Sequence, residues 1–343
     1  MKIVHSENHG LHAPKYQLFA DGLRAAVEVP DRVENILAVL RNRGVGEVVG
    51  PGPYGWAELR TVHDEGMLRF LAAAHVAWET AGMATEIGLI PDTFAMRSLN
   101  SKPEGWVEQV GYYCFETQTP ILPRTWEAAK HAACCALTGA DLLLSGEPSA
   151  YALCRPPGHH AGRDLYGGYC YLNNAALAAR RLSSKGRVAI LDVDYHHGNG
   201  TQAIFYDSDE VFYASLHADP NFEYPYFSGH KFENGEGRGG GYTANFPLPE
   251  GCGEKAFFEA LHRAVDCATA FGADFWVISL GVDFVREDPM SRFNISPDVC
   301  TEVGNYLASE KKPTLFVQEG GYWLEGIGDC VADVLEGFMG LAD

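Results

Sequence analysis

Four apolar runs in this chain end in residues that can do chemistry. "VAIL" runs into "DVDYHHGNG", Asp192 to Gly200. "YALC" runs into "RPPGHH", which ends at His160. "WVISLGV" stops at Asp283, and "TLFVQ" leads into "EGGY", which ends at Tyr322. Side chains two apart in an extended chain point the same way. Asp194 and His196 therefore face one point, with Asp192 on that side, and Asp283 from another strand end completes a set of three. Two carboxylates and one imidazole suit zinc with one position left open. Ferrous iron is compatible with the same donors. Read alone, Asp194 is equally a helix N-cap and His196 a loop histidine; the company of the other strand ends favours the metal.

The same stretches offer proton carriers. Histidine titrates near neutral pH, and His159 and His160 follow a rigid "PPG" turn. Asp192 is placed to partner one of them and Asn199 the other. Unlike partners push two pKa values apart, which lets a pair divide acid and base duties. Tyr322 follows two glycines, so its phenol can approach a carbonyl closely and stabilise the oxyanion formed when water attacks. Among 16 tyrosines, one packed in the core is the ordinary alternative.

These residues need a frame that brings strand ends together. Short β-rich runs alternate with helix-like ones: "RVENILAVLRNRG" with its glycine stop, "TWEAAKHAACCALTGADLLLSG", "NNAALAARRLSSKG" and "KAFFEALHRAVDCATAFG". Strands separated by helices of this length form parallel βαβ units. Strands apolar on both sides are covered on both faces. The expectation is one α/β domain over residues 1–343, with a large parallel sheet and the ligands at its carboxyl edge. Two stretches, 84–124 and the aromatic, glycine-rich 219–241, lack clear periodicity; loops this long usually serve as lids, pocket walls or subunit contacts.

Bulk properties exclude some functions. The net charge is −19, which disfavours nucleic acid and anionic membranes, since both need a basic patch. No secretory signal or membrane-spanning run is visible. Nine scattered cysteines without a C-x-x-C pair point to a reducing, cytoplasmic setting.

Taken together, "RPPGHHA", "GGYCYLNNAALAA", "ILDVDYHHGNGTQ", "SLH", "SLGVD" and "EGGY" resemble the zinc-dependent histone deacetylase superfamily. The whole chain, including "GYYC" in the 84–124 stretch, is similar to the bacterial acetylpolyamine amidohydrolase branch. The resemblance implies an arginase-like, single-domain α/β fold around an eight-stranded parallel sheet with helices on both faces. It implies one catalytic zinc on Asp194, His196 and Asp283, a proton-transfer pair in His159 and His160, and carbonyl polarisation by Tyr322. It implies structural potassium on Asp192, Asp194, His196, Ser215 and Leu216, with a second potassium site at Phe205, Ser208, Val211 and Tyr242. Gly168, Tyr169 and Tyr224 fall at pocket-wall positions. The 84–124 arm matches a segment that packs on a second subunit, so a homodimer or higher homo-oligomer is expected. Related two-metal arginases carry a further carboxylate two residues after the metal histidine; here that position is Gly198.

Polyamine-selective members carry acidic residues at the pocket mouth. The matching positions here are Gln17, Val107 and Gln118, all neutral. Several substrates stay open: a small N-acetylated amine or polyamine, a neutral N-alkyl or N-aryl amide of xenobiotic type, and a protein acetyl-lysine. A non-catalytic acyl-ligand module would not need all six of the metal-binding, histidine and tyrosine groups.

Overall fold

The computed structural model describes residues 1–341. Ten strands and ten α-helices follow in chain order. The strands are β1 (Lys2–Val4), β2 (Tyr16–Phe19), β3 (Gly22–Ala25), β4 (Glu47–Val49), β5 (Ser149–Ala152), β6 (Val188–Asp192), β7 (Val211–Ala218), β8 (Thr243–Leu248), β9 (Phe275–Leu280) and β10 (Thr314–Gln318). The helices are α1 (Asp31–Arg43), α2 (Trp56–Leu59), α3 (Glu65–Thr80), α4 (Val110–Tyr113), α5 (Thr125–Leu144), α6 (Asn174–Leu182), α7 (Asn199–Phe205), α8 (Glu254–Phe271), α9 (Cys300–Ala308) and α10 (Ile327–Met339).

Eight strands form one sheet in the order β4-β1-β5-β10-β9-β6-β7-β8. Every neighbouring pair is parallel. The four strands whose ends carry the polar residues, β5, β10, β9 and β6, are adjacent at its centre. The chain builds both flanks first and closes the middle with its last two strands. That order brings Asp194 and Tyr322 to one edge from far apart in sequence.

The all-apolar strands are explained by two cores. Ile278, Leu191, Ala214 and Phe316 pack with α1, α8, α9 and α10 on one face. Their neighbours Val277, Ile190, Tyr213 and Leu315 pack with α3, α5 and α6 on the other. Alternate residues thus feed opposite cores, and the central strands have no wet side. Helix ends follow ordinary rules: Gly44 closes α1 in the left-handed conformation, and Asp64 and Asn173 cap α3 and α6 through their side chains.

The 84–124 stretch is mostly irregular, with only α4 inside it and a bridge between Leu89 and Ile121. It roofs a cavity of about 670 Å³ on the side of the molecule near α3. The antiparallel β2–β3 hairpin, which the sequence does not announce, stands apart from the main sheet. All nine cysteines are unpaired. No helix among the described residues is long and apolar enough to cross a membrane.

Candidate active site

β6 ends at Asp192, and the chain then turns through Asp194 and His196 before α7 begins. Asp194 Oδ2 accepts a hydrogen bond from the Gly320 amide at 2.7 Å, beyond β10. Asp283, beyond β9, accepts one from the Tyr195 amide at 3.0 Å. His196 Nδ1 lies 3.3 Å from Asp194 Oδ1 and 3.2 Å from Asp283 Oδ2. One ligand atom from each of these three residues lies within 4.8 Å of the others, and all three residues are buried.

This trio fits a divalent cation. Asp283 Oδ2 is buried and accepts no hydrogen bond. Burial and the nearby Asp194 push the Asp283 carboxyl up. Burial opposes a charge on His196, yet the carboxylates of Asp194 and Asp283 beside it raise it to about 10. Buried negative charge crowded this way calls for a cation to share. The backbone also makes room: a Cβ on Gly320 would meet Asp283 Oδ2 at 2.4 Å and Asp194 Oδ2 at 2.6 Å. At Gly198 a Cβ would meet Asp192 Oδ2 at 2.3 Å, so the extra carboxylate of a two-metal site has no space.

A second cluster, His159, Cys170 and Glu319, is also close-knit and buried. Glu319 Oε1 has no partner there, but the other Glu319 oxygen and His159 are engaged. Glu319 Oε2 accepts from the Gly158 and His159 amides at 2.7 and 3.0 Å, tying β10's end to the histidine turn. Burial pushes the Cys170 thiol well above its ordinary range, which disfavours the thiolate a metal needs.

The two histidines have the unlike partners expected. His159 Nδ1 lies 3.2 Å from Asp192 Oδ2, which also accepts from the Tyr213 hydroxyl at 3.0 Å. His160 Nδ1 lies 2.7 Å from Asn199 Oδ1. Burial lowers His159, but Asp194 and Asp192 outweigh it and raise it to about 10. Burial and the charge of His159 push His160 well down. The two surroundings thus push the histidines apart, His159 toward the cation and His160 toward the neutral imidazole. Their ring centres are 4.0 Å apart, and His160 lies 6.1 Å from His196. Gly168, at φ +58°, lets the His160 ring pack on it; a Cβ there would meet His160 Cδ2 at 2.3 Å.

Tyr322 is held by a network that sequence reasoning missed. Asp288 accepts from the Tyr322 and Trp323 amides at 2.5 and 3.0 Å. Arg32 of α1 donates to the Gly321 carbonyl at 2.5 Å and the Glu319 carbonyl at 2.6 Å. Its guanidinium stacks 4.7 Å from the Tyr322 ring centre. Glu28 Oε1 bridges Arg32 and Arg155 at 2.9 and 2.8 Å, all three buried. In the sequence Glu28 and Arg32 look like a surface i,i+4 pair; nothing in their spacing signals burial. Removing one partner of a buried charge network leaves the others uncompensated, at about 3–5 kcal/mol. Glu28→Gln is expected to lower unfolding stability by that amount in denaturant melts. An unchanged midpoint would show that the network does not hold this corner.

Of the trio, His196 lines a cavity of about 170 Å³, together with His160 and Tyr322. Gly168, Tyr169, Tyr224 and Gln118 line it as well. Tyr169 meets Tyr322 edge-on at 5.8 Å, and Tyr224 meets His160 at 5.0 Å. Gln17 lines a narrow side recess with Gln118 and Tyr169 instead. Val107 does not line this cavity: it faces the separate one under the 84–124 arm. The irregular backbone there carries it away from the sheet edge, so within one chain it is not a pocket-mouth residue. Glu116 lines it too, and Glu223, Phe19, Tyr226 and Met290 are lining residues that the sequence reading did not name. Of the potassium positions, Asp192 pairs with Ser215 across β6 and β7, next to Leu216. Phe205 closes α7 and accepts from the Ser208 amide at 3.0 Å. Val211 opens β7, and the Tyr242 carbonyl accepts from the Tyr213 amide at 2.9 Å.

The family model of the histone deacetylase domain matches residues 26–338. The chain belongs to the histone deacetylase family. As a member it is an amide hydrolase, and its similarity runs the full length of bacterial relatives. It is 45% identical to acetylpolyamine amidohydrolase of Mycoplana ramosa, over 99% of this chain and 100% of that protein. It is 43% identical to acetylpolyamine amidohydrolase 1 of Pseudomonas aeruginosa, over 100% of both. The crystal structure of acetylpolyamine aminohydrolase from Burkholderia pseudomallei superposes with a TM-score of 0.91 at 37% identity, covering 99% of each chain. The eight-stranded histone deacetylase fold expected from the motifs is therefore the fold observed.

Proposed function

We propose that this chain is a zinc-dependent amidohydrolase that cleaves small N-acylated amines, N-acetylated amines and polyamines among them. The observation that carries the reading is the meeting of Asp194, His196 and Asp283 within 4.8 Å, at a cavity whose inner wall is His160 and Tyr322. Bound by those three residues, zinc supplies Lewis acidity toward an amide carbonyl and toward water; ferrous iron suits the same donors.

The remaining steps belong to the chain's own groups. Asn199 holds His160 Nδ1, which leaves Nε2 to take the proton of the attacking water. Water adds to the carbonyl carbon, the C–N bond breaks, and His160 returns the proton to the departing amine. A carboxylic acid and an amine leave. His159, kept protonated beside Asp192 and Asp194, sets a positive charge behind the developing oxyanion. The Tyr322 hydroxyl donates to that oxyanion, its ring steadied by Arg32.

The same reading places structural potassium on Asp192, Asp194, His196, Ser215 and Leu216, and a second ion at Phe205, Ser208, Val211 and Tyr242. It places a second subunit against the 84–124 arm, supported by the exposure of Met96 and Leu99 at 58% and 73%. The unpaired cysteines support a cytoplasmic setting.

The function is tested by acetate release from N-acetylated amines. Tyr322→Phe is expected to lower kcat by about 10²–10³-fold, the usual cost of one oxyanion donor. Wild-type turnover in that variant would remove Tyr322 from the chemistry.

A further inference from the structure

We propose that the amine half of the substrate is uncharged and apolar, an N-acylated alkyl- or arylalkylamine in preference to an acylated polyamine. The proposal rests on the amidohydrolase reading above and concerns what the outer part of the same cavity will accept.

Two carboxylates line that cavity, and both are already engaged. Glu116 is turned inward. Its Oε2 accepts from the Gln118 amide, and its Oε1 from the Thr119 hydroxyl and, at 3.1 Å, from the Gly168 amide. It works as a strut that fastens the 116–119 turn to the backbone of the pocket wall. Burial pushes its carboxyl up, so it is a reluctant anion as well. Glu223 accepts from the Tyr195 hydroxyl at 2.9 Å and the Tyr224 amide at 3.0 Å. Arg292 Nε lies 3.6 Å from it and offsets its charge. A further polar group of the lining is Gln118, a neutral amide whose Oε1 is 3.4 Å from the Tyr169 hydroxyl.

The rest of the outer wall is aromatic or apolar: Phe19, Tyr169, Tyr224, Tyr226 and Met290. The aromatic surface continues outward, with the Tyr224 and Tyr226 rings 6.4 Å apart and Phe227 beyond them, 92% exposed. Aromatic faces do attract cations. An ammonium entering this cavity would lose its water for carboxylate oxygens that already accept hydrogen bonds, and ring faces replace only part of that hydration. An alkyl or aryl group loses nothing by the same move and gains the burial.

The test compares N-acetylcadaverine, N-acetylputrescine, N-pentylacetamide and N-phenethylacetamide on the zinc-loaded protein. N-Pentylacetamide carries the five-carbon chain of acetylcadaverine without its terminal ammonium. It is expected to show kcat/KM higher than acetylcadaverine by about 10-fold or more. Equal or better turnover of the cations would overturn the proposal. Gln118→Glu is expected to move the ratio toward the cation by about 10-fold; an unmoved ratio would assign the preference to something other than charge and likewise overturn it. Calorimetric binding of the same two ligands to zinc-loaded Tyr322→Phe gives the ranking without turnover. Should no amide be cleaved while that ranking holds, the amidohydrolase reading fails and the pocket assignment stands; a reversed ranking sinks the pocket assignment alone.

Discussion

Stripping divalent metal from the protein is expected to take turnover of an N-acetylated amine to background, and one equivalent of zinc per chain is expected to restore it. The reason lies in the charge at the edge of the central strands. Asp194, Asp283 and His196 are buried together, and one Asp283 oxygen has no donor. Without a cation, His196 is drawn to about 10 by its two carboxylates, a protonated state in which it cannot be a ligand. Magnesium is not expected to substitute, because it prefers six oxygens and this site offers two carboxylates and a nitrogen. Full activity after complete chelation would show that the trio serves structure alone.

Replacing His160 by alanine is the second large effect, a fall in kcat of about 10²–10⁴-fold. Of the adjacent pair, His160 is the one that lines the cavity. His159 sits behind it, between Asp192 Oδ2 at 3.2 Å and Asp194 Oδ1 at 3.8 Å. Only the neutral, cavity-facing imidazole can accept a proton from water there. His159→Ala is expected to change the binding of the metal as well as the rate, because it removes a charge beside Asp194. Stopped-flow kcat and metal content on both variants separate the two roles. A His160→Ala enzyme with near-normal kcat would mean that another group carries the proton.

Much of this was legible because the relevant residues sit where regular structure ends. The end of a buried parallel strand is an unlikely place for Asp192, Asp194 and His196 unless they are used. The four strand ends so marked, on β5, β6, β9 and β10, are the four adjacent central strands. The unlike partners of His159 and His160 followed from the same motif. What stayed hidden depends on long-range packing. Arg32 reads as a surface arginine of a first helical turn, yet it reaches the Gly321 carbonyl at 2.5 Å because α1 packs against α10 and the Tyr322 loop. Glu116 reads as a loop acid, and nothing local signals that the distant Gly168 amide also donates to it. Val107 lines the cavity under the 84–124 arm within one chain, and an irregular segment has no period to say which cavity a side chain will face.

The central claim is that Asp194, His196 and Asp283 share a single ion. Diffraction data collected on either side of the zinc absorption edge, from crystals of the zinc-loaded protein, test it most directly. The account predicts one anomalous peak per chain, about 2.0–2.2 Å from an oxygen of each aspartate and a nitrogen of His196. A peak beside Cys170 and Glu319 instead, or none at the trio in a fully active crystal, would contradict it.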